Sequence, residues 1–326
     1  MSFTVDHVHG VFAMLPTPST PDAAMPDAPF AIDIAETARV TRRLIASGVR
    51  AIMTNGSLGE MATLSHEEWL AFNRTVVETA QSIDPAFPIF VGATTLSTRG
   101  TIELARQAEG FGATGIFIGR PFWCALDADV MISFYEAVAG AVPNLAIVVY
   151  DNPDAFKGPI PTSVYARLSH IPQFVAAKYI AITPKFHQDM EAIGERMRLL
   201  PIEADWFAAK ALWPDSLPGC WSSTALCGPG PVVALARMMA QGRSDEAFAL
   251  TKRIGRTYET FLAMRNWPEF VKYNIPLEKL RFDEAGFIKA GPGRHPYQKA
   301  PSNYEEGSIE MARRWVALCE QYPAAL

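Results

Sequence analysis

A lysine closes the apolar run Phe174-Val-Ala-Ala-Lys178, and an amine held partly out of water is the side chain that attacks ketones. Burial disfavours the ammonium, so its pKa is expected to fall and more of the neutral nucleophile to be present. The iminium formed by such an attack is an electron sink. Period-two alternation places Phe174, Ala176 and Lys178 on one face of a strand. If that face points inward, Lys178 stands at the mouth of a barrel. The alternative is a strand-ending lysine whose stem packs while its ammonium snorkels to solvent, and the local pattern does not separate the two.

A second run, Leu145-Ala-Ile-Val-Val-Tyr150-Asp-Asn152-Pro153, ends in a phenol and an amide two positions apart. Extended geometry aims both the same way, the phenol to carry a proton and the amide to hold a water or hydroxyl. A tyrosine here also fits a core residue with a wet tip. A third candidate is Thr54-Asn55-Gly56-Ser57-Leu58-Gly59-Glu60, whose glycines let backbone N–H groups approach an anion such as a carboxylate. An ordinary strand-to-helix turn is the competing reading. The six histidines are scattered, with no spacing that would hold a metal.

These endings need a scaffold that gathers strand termini. Short β-rich runs alternate with helical patterns, and eight strands are expected: Gly10–Leu15, Val49–Thr54, Ile89–Ala93, Gly115–Gly119, Leu145–Tyr150, Phe174–Tyr179, Arg198–Ile202 and Gly219–Trp221. Ser65, Ser97 and Asp127 stand where helix N-caps belong. No G-x-G-x-x-G follows the first strand, which argues against an open dinucleotide-binding sheet. The expected fold is therefore an α/β (β/α)₈ TIM barrel over residues 1–229, with a helical C-terminal extension over 230–326. In that extension Val232–Gln241, Asp245–Met264, Pro268–Tyr273 and Tyr304–Tyr322 read as helices, and Lys289–Tyr297 as a turn-rich linker. In such a barrel, side chains that act lie at the C-terminal strand ends.

Composition bounds the partners. The chain has 326 residues, 49% hydrophobic and 19% charged, with formal charge −5. That leaves ample apolar material for a core and no basic cluster for nucleic acid. No stretch has the length and apolarity of a membrane span or a signal peptide. Four cysteines without paired spacing suggest a reducing cytoplasm.

Together the three endings resemble the dihydrodipicolinate synthase and N-acetylneuraminate lyase superfamily, which has a G-[ST]-x-G-E loop after strand two, a tyrosine ending strand five and a Schiff-base lysine ending strand six. The order here is Gly56-Ser57-Leu58-Gly59-Glu60, Tyr150 and Lys178. Within it, the chain is similar almost end to end to the trans-o-hydroxybenzylidenepyruvate and carboxybenzalpyruvate hydratase-aldolases. Met14-Leu-Pro-Thr-Pro18, Ala155-Phe156-Lys157, Trp221-Ser222-Ser223, Lys272-Tyr-Asn-Ile275 and Leu277-Glu-Lys279 carry that likeness.

The resemblance implies hydration and retro-aldol cleavage of a benzylidenepyruvate to an aromatic aldehyde and pyruvate. Lys178 would be the covalent nucleophile, Tyr150 with Asn152 would direct water and protons, and Gly56, Ser57 and Leu58 would hold the pyruvyl carboxylate. Two departures from the wider superfamily stand out. Ser57 is followed by Leu58 instead of a second hydroxyl residue, and Pro121-Phe122-Trp123 occupies the place of a tyrosine contributed between subunits. Phe122, Trp123 and Trp221, with Ser222 beside it, would then line a flat aryl site, plain core packing being the competing reading of the three aromatics. Arg120, at the end of strand four, has two readings: pairing with an ortho-carboxylate on the ring, or a surface ion pair. No cofactor or metal is implied, because the iminium withdraws the electrons. A homotetramer is implied by the likeness alone. Two alternatives stand beside this reading: another pyruvate-dependent class I lyase acting on sugar acids, and a non-catalytic ligand-binding barrel.

Overall fold

The computed structural model describes residues 3–262 and 266–324. Its strands are β1 (Gly10–Met14), β2 (Ala51–Met53), β3 (Ile89–Gly92), β4 (Gly115–Ile118), β5 (Ala146–Tyr150), β6 (Phe174–Lys178), β7 (Arg198–Leu200) and β8 (Gly219–Ser222). They alternate with α1 (Ile34–Ala46), α2 (His66–Ile83), α3 (Thr98–Gly110), α4 (Ala128–Ala141), α5 (Thr162–Leu168), α6 (Pro184–Ile193), α7 (Glu203–Leu212) and α8 (Gly230–Ala240). The strands make one sheet in the order β7-β6-β5-β4-β3-β2-β1-β8, and the registered pairs from β2–β3 to β6–β7 are parallel. The two ends of that order meet where Ile202 and Trp221 form a parallel bridge, the Trp221 N–H donating to the Pro201 carbonyl at 2.9 Å. The fold is the expected (β/α)₈ barrel, extended by α9 (Ser244–Phe261), α10 (Trp267–Lys272), α11 (Asn274–Ala285) and α12 (Ser302–Gln321).

Local chemistry starts the helices where expected. The side chains of Ser65, Ser97 and Asp127 accept from the backbone N–H of Glu68, Gly100 and Val130, and Ser65 with Glu68 completes a capping box. Each such cap is worth about 1 kcal/mol. The helix expected over Asp245–Met264 spans Ser244–Phe261, and the last two expected positions, 263–264, lie outside the described residues. Helix α11 corresponds to none of the expected helices. Its buried face is Leu277, Glu278, Lys279, Arg281 and Phe282, so charged residues occupy the positions where apolar periodicity would announce a helix. Among the described residues, no helix is long and apolar enough to cross a membrane.

The chain groups into two compact units. One holds residues up to Phe12, Ala51–Met53 and Pro88–Trp221; the other holds Ala13–Arg50, Thr54–Phe87 and the chain from Ser222 onward. In the first unit β3, β4, β5 and β6 are buried along their whole length, as strands covered on both faces must be. In the second, α1 packs on α2, and α12 packs on α9 and α11. There the buried Arg281 guanidinium lies 4.0 Å from the Phe261 ring centroid and donates to Glu278 and, at 2.7 Å, to Ser223 Oγ.

Candidate active site

In the first unit, the ends of β5 and β6 are register partners, Tyr150 opposite Lys178. Lys178 is only 5% exposed, so of the two readings of this lysine the snorkelling one does not hold. Its Nζ lies 3.8 Å from the centroid of the Trp221 ring and 5.1 Å from that of Tyr150. Trp221 is pinned in turn, its indole N–H donating to the Tyr179 carbonyl at 2.8 Å, one residue beyond the lysine. An aromatic face attracts a cation, so this arrangement suits an iminium at Nζ.

The Tyr150 hydroxyl accepts from Asn152 Nδ2 at 3.1 Å, and Asn152 Oδ1 accepts from the Ala155 N–H at 3.3 Å. The pair is therefore aimed together, as the spacing predicts. The phenol ring is held between Phe117, with centroids 4.6 Å apart, and the edge-on ring of Phe156 at 5.1 Å. Phe156 reaches that place because residue 119 is glycine; a Cβ there would fall on the Phe156 ring. Neither phenylalanine was expected in the site. Phe117 has only a strand position to mark it, and Phe156 only its place in a family-like string.

The other aryl-site candidates are spread more widely. Phe122 is half-buried with its ring 5.8 Å from Phe156. Trp123 is 76% exposed, and its carbonyl accepts from Lys157 Nζ at 2.7 Å. Arg120 departs from its expected place at the mouth. It is 1% exposed, donates to the Gly158 carbonyl, and has Nη1 3.6 Å from Asp151 Oδ1. A guanidinium so buried is committed to internal acceptors because leaving its charge unpaired is costly. Burial raises the Asp151 pKa, and Arg120 opposes that rise.

In the second unit, the loop after β2 is a tight double turn. The Gly59 N–H donates to the Gly56 carbonyl at 3.0 Å and the Glu60 N–H to Ser57 at 2.9 Å. A Cβ on Gly59 would lie 2.8 Å from the Asn55 backbone, so the turn requires glycine there. Asn55 and Glu60 flank it at φ 44 and 58, the left-handed region that side chains adopt only when the surroundings hold them. What holds Asn55 is a buried amide network in which Asn73 Nδ2 donates to Asn55 Oδ1 at 2.7 Å and Thr54 Oγ1 to Asn73 Oδ1 at 2.6 Å. What holds Glu60 is ionic: Lys279 Nζ at 2.8 Å, Arg294 Nη1 at 2.6 Å and the Arg294 N–H at 2.6 Å. Thr17 Oγ1 closes the set on the Gly59 carbonyl at 2.8 Å. Glu60 was read only as the last letter of a loop motif, and nothing in the sequence points from it to Lys279 or Arg294. Ser222 is buried at the end of β8, paired with Thr224 Oγ1 at 3.1 Å and accepting from the Ala225 N–H at 3.0 Å, so its hydroxyl is committed to the 3-10 turn that follows (Thr224–Leu226).

Among the described residues, no group of three or more His, Cys, Asp or Glu side chains is placed to hold a metal ion.

With this geometry in view, the comparisons with known proteins are specific. The Dihydrodipicolinate synthetase family model matches residues 11–285. The chain is 41% identical over 322 residues to the trans-2'-carboxybenzalpyruvate hydratase-aldolase of Nocardioides sp. (strain KP7), covering 98% of this chain and 96% of that one. It is also 41% identical over 317 residues to the trans-O-hydroxybenzylidenepyruvate hydratase-aldolase of Sphingobium xenophagum, covering 96% and 95%. The solved structure of PhdJ bound to a substrate intermediate superposes with a TM-score of 0.95 at 42% identity, covering 98% of this chain and 99% of that one. The strand-end lysine and tyrosine, the glycine-rich loop and the near-complete coverage agree: the chain belongs to the Dihydrodipicolinate synthetase family.

Proposed function

We propose that this protein is a class I hydratase-aldolase that adds water to a substituted trans-benzylidenepyruvate and cleaves the product to an aromatic aldehyde and pyruvate. The observation that carries this is the buried Lys178 amine, at the end of β6 in register with Tyr150, whose hydroxyl is held by Asn152. The relatives named for this activity match the chain over nearly its whole length.

Lys178 Nζ adds to the C2 ketone and water leaves, giving an iminium. Its positive charge withdraws electrons through the C3=C4 bond, so C4 becomes electrophilic. Tyr150, oriented by Asn152, directs a water to C4; as its oxygen bonds to C4 the C3=C4 pair moves toward nitrogen to give an enamine, the added water gives up a proton, and protonation of C3 restores the iminium. Tyr150 then removes the proton of the new C4 hydroxyl, the C3–C4 bond breaks, and the electron pair moves to the iminium as an enamine. Protonation of the enamine at C3 and addition of water at C2 release pyruvate and the free lysine. Trp221, under the amine, stabilises the cationic intermediate through its ring face. We assign the pyruvyl carboxylate to Ser57 and the Leu58 N–H, on the strength of the loop's tight turn and the family likeness. Phe122 and Trp123, in the loop after β4, are the aryl-side residues. A homotetramer and a cytoplasmic location complete the proposal, the first testable by light scattering during gel filtration.

The decisive experiment is borohydride reduction in the presence of pyruvate, followed by peptide mass spectrometry. A reduced pyruvyl adduct on Lys178 is expected; an unmodified lysine beside a reacting aldolase control sinks the proposal. Substrate choice gives a second expectation. With its guanidinium turned to Asp151 and Gly158, Arg120 is placed to hold the loop after β5, not to read the ring. Arg120→Ala should therefore lower the unfolding midpoint while leaving the ratio of kcat/KM for 2'-carboxy and 2-hydroxy substrates unchanged. A collapse of that ratio toward the hydroxy compound would return Arg120 to ring recognition.

A further inference from the structure

Strand alternation gives each reacting side chain a neighbour that faces the other way. Asp151 sits between Tyr150 and Asn152, and Tyr179 follows Lys178. Both of these outward residues are tied to a helix. Asp151 Oδ2 accepts from the Tyr165 hydroxyl of α5 at 3.0 Å. The Tyr179 hydroxyl donates to Asp189 Oδ2 of α6 at 2.7 Å. The same Asp189 carboxylate, 0% exposed, also takes Thr162 Oγ1 of α5 at 2.6 Å and Lys185 Nζ at 2.5 Å. The Tyr165 and Tyr179 rings lie 6.1 Å apart, and Lys185 Nζ stands 5.3 Å from the Tyr165 centroid. Burial and the neighbouring aspartates hold both phenols well above their ordinary pKa, so they remain donors across the working range.

We propose that Tyr165 and Tyr179 are positioning residues with separate duties: the Tyr165–Asp151 tie sets the end of β5 and hence Tyr150 and Asn152, while the Tyr179–Asp189 tie sets the end of β6 and hence Lys178. Each tie acts one residue from a reacting group, on the opposite face of the strand, so it changes aim without touching substrate. The two duties correspond to two different steps, since Lys178 forms the iminium and Tyr150 handles water and proton. The inference rests on the lysine-and-tyrosine mechanism above and goes beyond it by assigning which helix tie governs which step.

The test measures two rates in the full-length wild type, Tyr165→Phe and Tyr179→Phe. One is the rate of borohydride-trapped adduct formation with pyruvate. The other is the single-turnover loss of the conjugated absorbance of trans-2'-carboxybenzalpyruvate. Tyr179→Phe is expected to slow adduct formation about tenfold, and Tyr165→Phe to leave it within about twofold while slowing the absorbance change about tenfold, the scale of a small misplacement. Because the iminium precedes hydration, Tyr179→Phe slows the absorbance change as well, whereas Tyr165→Phe slows the absorbance change alone; a loss of fold lowers both rates in either variant and cannot leave adduct formation intact in Tyr165→Phe. Equal losses of both rates in the two variants, or no loss in either, overturns the proposal. Should Tyr179→Phe fail to accumulate, Lys185→Met removes a half-buried partner of Asp189 and is read by the same two rates. Absence of a Lys178 adduct in the wild type overturns the mechanism and the assignment together; an intact wild-type adduct with no such difference between the variants overturns the assignment alone.

Discussion

Lys178→Met is expected to fold as the wild type does, give no borohydride-trapped adduct, and lower cleavage by on the order of 10⁴-fold or more, the scale seen when a covalent nucleophile is removed. Methionine is the informative replacement because it keeps an unbranched stem of similar length while deleting the amine. Arginine would crowd the space between the Trp221 and Tyr150 rings, 3.8 Å and 5.1 Å from Nζ, and its guanidinium stays protonated. Removing a buried amine spares its desolvation, so the Lys178→Met unfolding midpoint should equal or exceed that of the wild type. Tyr150→Phe should part from it in a defined way. It retains adduct formation with pyruvate, because Lys178 is intact, yet loses about 10²- to 10⁴-fold in hydration and cleavage, the contribution of a positioned acid–base group. Wild-type turnover by Lys178→Met would refute the covalent role outright. Loss of adduct in Tyr150→Phe would instead make the phenol part of iminium formation.

The contrast between those two variants bears on what was legible in the sequence. Strand ends were legible, because apolar runs bounded by turn formers set β5 and β6 within a residue of where they lie, and period two then aimed Lys178, Tyr150 and Asn152 inward. What surrounds them was not. Trp221 was read as an aryl wall, yet it lies under the amine, a placement that depends on the closure of β8 onto the segment after β7 and on the Tyr179 carbonyl it bonds. Arg120 illustrates the same limit from the other side. An arginine at a strand end reads as a ligand group until Asp151, thirty-one positions on, is seen to face it, and pairing across the sheet has no local signature. Helix α11 was missed for a related reason, since a buried face made of Glu278, Lys279 and Arg281 looks solvated to any hydropathy pattern.

That hidden helix carries the second large effect, in the second unit. Glu60 is 1% exposed with two cations on one oxygen, Lys279 at 2.8 Å and Arg294 at 2.6 Å, and Lys279 also donates to Ser19 Oγ at 2.9 Å. Among the described residues, Glu60 is the only charge that both cations share at hydrogen-bond distance, so Glu60→Gln leaves two buried positive groups facing an amide, at a cost of about 3–5 kcal/mol. Arg294 keeps a remoter carboxylate, Glu68 at 3.6 Å, and Lys279 keeps only the weaker field of Asp283. Adding Lys279→Met to Glu60→Gln should therefore recover a large share of the loss, because the stranded ammonium disappears with its partner. The pH dependence follows from the same geometry. Burial lowers the Lys279 pKa below the ordinary 10.5, and Glu60 opposes that fall. In Glu60→Gln the opposition is gone, so the folded state releases the lysine proton at lower pH than the unfolded chain does. Where the unfolded state binds more protons, stability rises with pH. The stability deficit of Glu60→Gln should thus narrow as pH climbs toward 10.5, measured as the difference in urea midpoints at a series of pH values. A constant deficit would show that the loss is one of packing, with Lys279 uninvolved.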